Sequence, residues 1–280
     1  MKKILSIGVV CSMLICSAFM FFGCGREVVN VNVVDDAKKK AETLISTYYN
    51  KTESSELTAA TVDNFYVELG SEIDSNVEVV TINGISHTAK ENIKYSVGNN
   101  NFVETPAWIA KDGKLYVAVP TLYVEARSGV TTVIAGNKEI KATVFENAGL
   151  LKMDSVTVVG TTTGATAEKT TNENGKVVVN HTRTSGKSAV GWVLSAGDKK
   201  IPKDIYVFTK KVISTSNAIS YGVDITTDAD KVGYTQALYN YWLNGSITEP
   251  VNRTIDYTVA IPGYGNINFD INVTETVPAS

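Results

Sequence analysis

The chain is poor in the side chains that most often carry chemistry. Its three cysteines, Cys11, Cys16 and Cys24, all fall within the first 24 residues. Nothing beyond them can build a disulfide framework, a cysteine zinc site or a cysteine nucleophile. There are two histidines, His87 and His181. A hydrolytic triad or a histidine metal site would need one of them, yet neither lies in a nucleophile elbow or a paired-histidine motif. Both read as ordinary surface or strand histidines. Ser-x-x-Lys, HExxH and the dinucleotide glycine fingerprint are missing. Gly186-Lys187-Ser188 resembles the tail of a phosphate loop, but His181 stands where that loop needs a glycine, which leaves a strand turn. No basic stripe is present, so nucleic acid is not an expected partner. No cofactor or metal is expected either.

What is present begins at the N-terminus. Met1-Lys2-Lys3 leads into an apolar run of 20 residues, Ile4 to Gly23, followed by Cys24. A charged start, an apolar stretch and a small residue before the processing point make an export signal. The Gly23-Cys24 junction resembles the lipobox of bacterial lipoproteins, with Phe21 and Phe22 where an aliphatic and a small residue are usual. That resemblance implies a signal peptide over 1–23 and Cys24 as the lipidated mature N-terminus. It also implies a tether over 24–34 and a place on the extracytoplasmic face of the cell membrane. Each buried acyl methylene, as in palmitate, contributes about 0.8 kcal/mol, and two chains anchor stably. An uncleaved span is the second reading, since about 20 apolar residues can cross a bilayer; cleavage with release is the third. All three put the folded part outside the cytoplasm. Losing Lys2 and Lys3 leaves 24 basic and 29 acidic side chains, a net charge of −5.

Beyond the leader, Glu27 to Val34 alternates and reads as a tether or an edge strand. Asp35 can cap a helix in which Ala37, Ala41, Leu44, Ile45 and Tyr48 share one face. Such a stripe serves a stalk or partner helix, or else packs on the sheet behind it. Ser54 and Ser55 offer a cap for a shorter helix through about Phe65. From about Val77 to Val144, runs rich in Val, Thr, Ile and Tyr alternate with turn signals at Asn83-Gly84 and Gly136-Asn137. Residues 145–176 read as a long exposed hairpin loop or a domain joint. Strands then resume, closing on the Pro262-Gly263-Tyr264-Gly265 turn.

Within this stretch, Thr105-Pro106-Ala107-Trp108-Ile109-Ala110-Lys111-Asp112-Gly113-Lys114-Leu115-Tyr116-Val117 is followed by Val119-Pro120, Glu125-Ala126 and Gly129-Val130. The pattern resembles the copper amine oxidase N-terminal-like domain of Gram-positive surface proteins. It implies a stalk-like accessory domain with a valine-proline step into a helix and a terminal hairpin. No copper or quinone chemistry comes with it, and the arginine usual after the proline is absent.

The expected fold is therefore α+β and strand-rich. It has short N-terminal helices, a mixed α/β stalk-like domain within 35–150, and an antiparallel β-sandwich-like domain over 151–280. Tyr234, Ala237, Leu238, Tyr241 and Trp242 are spaced as one helical face, with Asp228 or Asp230 as cap and Gly245 as stop. Asp228 and Asp230 also have part of a calcium-loop spacing, but Tyr239 stands where a bidentate glutamate belongs. The binding candidates are Tyr239, Tyr241 and Trp242, because rings with polar tips suit sugar or peptide surfaces. The functional expectation is a non-catalytic surface binding, adhesion or scaffold module, meeting the membrane through its N-terminus and a cell-wall or host glycan or protein with its body. A glycan-acting hydrolase is the alternative; it requires two carboxylates facing one groove, one of them desolvated. A two-lobed solute receptor is disfavoured by the scarcity of helices after residue 70.

Overall fold

The computed structural model describes residues 25–48, 56–58, 65–71, 73–74, 76–98, 101–146, 151–160, 163–184, 186–197, 199–200, 208–213, 220–227, 237–244 and 249–277. The molecule is strand-rich with few helices, as the composition predicts. Among the described residues no helix is long and apolar enough to cross a membrane.

The first half wraps one core with a helix and short hairpins. β1 (Glu27–Asn32) is an edge strand, running parallel to β11 (Lys138–Thr143) from Glu27↔Lys138 to Asn32↔Thr143. It joins β10 (Val130–Ala135), β4 (Val79–Ile82) and β5 (Ile85–Thr88) in a five-stranded sheet ordered β1-β11-β10-β4-β5. Helix α1 (Val34–Tyr48) follows β1 directly. Its amide at Val34 is received by the Asn32 carboxamide, 3.1 Å away. Asp35 therefore lies in the first helical turn rather than at the cap. Ala37, Ala41 and Leu44 are buried, so the stripe packs at home.

Two hairpins in this half, and the connection from the helix at Val119–Glu125 into β10, close on turns that need a left-handed backbone. Asn83-Gly84 has φ of 44° and 85°, Asp112-Gly113 of 53° and 72°, and Ser128-Gly129 of 51° and 75°. Both central residues at positive φ is the turn whose twist matches paired strands. The Asp112-Gly113 turn joins β8 (Trp108–Lys111) to β9 (Lys114–Ala118), which pairs with β3 (Tyr66–Ser71). Val119 then opens helix α2 (Val119–Glu125), with proline in its first turn, where the missing amide costs nothing. The expected helix through Phe65 is not supported at Glu56–Thr58, which forms β2, parallel to β7 (Asn101–Pro106); residues 59–64 lie outside the described residues.

The second half is a sandwich. One layer is ordered β12-β15-β19-β18, with β12 (Leu151–Val158), β15 (Ser188–Ala196), β19 (Ala237–Asn244) and β18 (Ser220–Thr227); β16 (Lys199–Lys200) pairs with β15. The other is an eight-stranded sheet, β13-β14-β21-β20-β17-β6-β7-β2. Its strands include β13 (Thr166–Thr171), β14 (Val177–Thr184), β17 (Phe208–Ile213), β20 (Val251–Ile261) and β21 (Gly265–Thr276). This sheet also takes in β6 (Asn92–Gly98) and β7 from the first half. Between the layers Trp192 meets Phe269 and Tyr257 at 5.1 and 5.8 Å between ring centres. Most pairings are antiparallel, but β14 and β21 run parallel.

Two expectations are corrected. The stretch 145–176 is not a long loop, because β12 and β13 occupy much of it. The aromatic helix is a strand, because positions 237–244 pair with β15 on one side and β18 on the other. A run rich in Tyr, Trp and Leu takes the extended form when both its edges find partners, and tertiary pairing overrides helical spacing.

Candidate functional site

A cleft of about 340 Å³ lies where the first-half core meets the outer face of the β20–β21 ladder. One wall is the Asn83-Gly84 turn with Ile85 and, beside it, the C-terminal end of α2 with Glu125 and Arg127. The facing wall carries Lys176, Asp256, Thr258 and Asn268. The walls are tied together by Asn266, whose Nδ2 donates to the carbonyls of Ala126 (2.6 Å) and Val124 (3.2 Å). These carbonyls would otherwise be unsatisfied at the helix end.

The charges in the cleft are largely committed to each other. Lys176 Nζ stands 2.5 Å from Asp270 Oδ1 and 3.1 Å from Asp256 Oδ1. The two aspartates are direct cross-strand neighbours and hydrogen-bond to one another. That bond, then Lys176, holds Asp256 below the usual carboxylate range. Burial, then the same bond, pushes Asp270 up. Burial works to lower Lys176, and its hydrogen bonds to Asp270 and Asp256 outweigh it, so its ammonium is held. On the other wall, Glu125 Oε2 lies 3.2 Å from His87 Nε2, with both side chains almost wholly buried. The His87 carbonyl receives the Trp108 indole N–H at 2.8 Å, which fixes this strand against the core.

A second polar cluster is sealed inside the sandwich. His181, Arg183, Ser188, Arg253 and Glu275 are all buried. Glu275 accepts from Arg183 Nε through one carboxylate oxygen and from Arg253 through the other. Ser188 Oγ and His181 Nε2 are 2.9 Å apart, the first half of a nucleophile–base pair. Its second half is missing, since Nδ1 of His181 has no hydrogen-bond partner among the described residues. Burial, helped by the Arg183 charge, lowers the His181 pKa to about 4. The backbone at Gly160 covers Ser188 so closely that a Cβ there would lie 2.4 Å from the Ala189 nitrogen. No substrate reaches this serine, and the pair acts as a structural hydrogen bond.

Of the residues singled out from sequence, His87 and His181 are strand residues, buried on β5 and β14. Gly186 sits in a strand connection, its carbonyl accepting from Arg183. Tyr239, Tyr241 and Trp242 lie on β19, opposite Trp192, Val190 and Ala189 in register. Period-two alternation puts position 242 on the other strand face from 239 and 241. Cys24, Asp228, Asp230, Tyr234 and Gly245 lie outside the described residues. The acid pair nearest the cleft is Asp256, on its wall, and Asp270, its cross-strand neighbour. Glycoside hydrolysis needs two carboxyl groups free to act on the sugar and the water, whereas these two are held by one ammonium, that of Lys176.

Sequence reasoning missed the sealed cluster. A usable signal was there: His181 and Arg183 continue the inward alternation of Val179, Arg253 that of Ile255, and Glu275 that of Val273.

No protein-family model matches the chain, and no curated protein sequence does. Solved structures with some likeness include cadherin-like domains 1 to 4 of zebrafish RET. That likeness is 8% identical over 91% of this chain and 75% of that one, with a TM-score of 0.19. Another is an endo-fucoidan hydrolase of glycoside hydrolase family 107, 10% identical over 68% of this chain and 42% of that one, with a TM-score of 0.16. Neither carries an argument.

Proposed function

We propose that this chain is an extracytoplasmic lipoprotein, anchored through Cys24, whose strand-rich body is a non-catalytic binding, adhesion or scaffold module at the cell surface. The observation that carries the non-catalytic part is the commitment, among the described residues, of the acids, base and nucleophile of the two polar clusters. Asp256 and Asp270 are bound to each other and to Lys176, Glu125 is held by His87, and Ser188 with His181 is closed off. What the cleft keeps is recognition chemistry. The anchor rests on the Gly23-Cys24 junction, and the fold is compatible with it. β1 starts three residues after Cys24, so a lipid there would hold the body within roughly 10 Å of the membrane surface at full extension. The stalk-like accessory domain within 35–150 belongs to the same proposal. The hairpin on Asp112-Gly113 and the proline-led α2 are the elements that the resemblance implies.

Two measurements test this. The intact mass of membrane-extracted protein is expected to show acylated Cys24 as the first residue; an N-terminus at Met1, or at any residue other than Cys24, overturns the anchor. Reducing ends released from soluble polysaccharides are expected to stay at background, and release that disappears in Asp256→Asn would overturn the non-catalytic reading.

A further inference from the structure

We infer that the cleft between the Asn83-Gly84 turn and the β20–β21 ladder is a binding site for carboxylate-bearing saccharides of the uronic-acid type. This rests on the surface-module reading and names its ligand class. Asn83 and Asn268 both have their oxygens engaged by the protein. Oδ1 of Asn83 receives the Thr132 amide at 2.8 Å, and Oδ1 of Asn268 receives the Thr258 hydroxyl at 2.7 Å. Each carboxamide is thereby fixed with its nitrogen available as a donor. Nδ2 of Asn83 is buried at the wall and has no acceptor. A ligand oxygen brought to that wall would meet a donor whose desolvation the fold has already borne.

Arg127 completes the set. Its backbone is pinned across the Ser128-Gly129 turn by two hydrogen bonds with Val130, at 3.1 and 2.9 Å. Its side chain is exposed, and among the described residues it forms no ion pair. The carboxylates nearest to it in the cleft already face other partners, Glu125 toward the His87 imidazole and Asp256 toward Lys176. The uncommitted polar groups are therefore donors, and one is a planar fork that fits a carboxylate through two parallel bonds. A neutral ligand would leave that fork unused.

The apolar part of the cleft fits the same ligand. Ile85 is 42% exposed on its rim, and Val124 is half-buried beside it. Together they offer an aliphatic surface to the C–H face of a pyranose ring, while ring hydroxyls accept from the two carboxamides. The cleft volume of about 340 Å³ lies in the range of small-ligand sites, roughly 300–1,000 Å³.

The test is calorimetric titration of the detergent-solubilised full chain with trigalacturonate and, separately, with neutral galactotriose. Saturable binding of the acidic trimer is expected, at least about tenfold tighter than that of the neutral one. Arg127→Gln should erase that preference at an unchanged melting temperature, Arg127→Lys should restore part of it, and Lys152→Gln on the distant sheet should leave it intact. No saturable binding, equal affinity for both sugars, or an unchanged preference in Arg127→Gln would each overturn the assignment. An N-terminus other than Cys24 would defeat the anchor and leave this result standing; failure here would leave the anchored module standing without this ligand.

Discussion

The first-half core closes in part through hairpins whose partners are a few residues apart, such as Ile82 with Ile85 and Lys111 with Lys114, beside longer pairings such as Glu27 with Lys138. The sandwich closes through β14 and β21, whose facing residues are 92 positions apart at Arg183 and Glu275. Short closures lose little chain entropy and can be specified by two turn residues. A long parallel closure has no turn to set its register. Here the buried Arg183–Glu275–Arg253 trio ties β14, β20 and β21 together, and a slip of one residue would turn its charges to the opposite face. The comparison teaches that the hairpin closures are specified by local backbone conformation, and the long closure of β14 on β21 by buried polar pairing.

If that division is right, the largest effect should come from the trio. Glu275→Gln removes the charge that both guanidinium groups address and is expected to lower unfolding free energy by about 3–5 kcal/mol in denaturant titration. A loss below about 1 kcal/mol would mean that packing around Trp192, not polar pairing, sets the register of this half.

An intermediate effect is expected from His181. Its ring stays neutral in the fold down to about pH 4, while an unfolded chain takes up the proton near pH 6.5. The unfolded state thus binds more protons between these values, so this contribution is complete above about pH 6.5 and is lost as pH falls toward 4. The loss is up to about 3 kcal/mol. Urea midpoints measured across this window should fall for the wild type and fall less steeply for His181→Gln; parallel slopes would remove His181 as the source.

The smallest effect should be the local one. Gly113→Ala meets no atom within 4 Å, so only its φ of 72° opposes the substitution. A cost of about 1–2 kcal/mol is expected in thermal unfolding. A cost as large as that of Glu275→Gln would erase the contrast between the two halves.

Legibility in the sequence follows the same line. The Asn83-Gly84 turn and the Ala37–Ala41–Leu44 stripe could be read because their causes lie within a few neighbouring residues, whereas the Asp112-Gly113 turn and the proline-led α2 came from the family resemblance. The expected aromatic helix failed over 237–242 because its apolar spacing was local and its strand partners, β15 and β18, were not. The facing of Asp256 and Asp270 was open for a related reason, since a cross-strand pair has no fixed sequence spacing. The sealed cluster was half legible: alternation marks His181, Arg183, Arg253 and Glu275 as inward positions, but only the fold says that they meet.

The sequence by itself determined the strand-rich class and the positions of the tight turns, because propensity and handedness of the backbone act over short stretches of chain. Tertiary structure alone decided which strands became neighbours, that Lys176 would bridge an acid pair, and that Asn83, Arg127 and Asn268 would face one cleft. Those outcomes depend on contacts between distant segments, whose free energy exists only once the layers have packed.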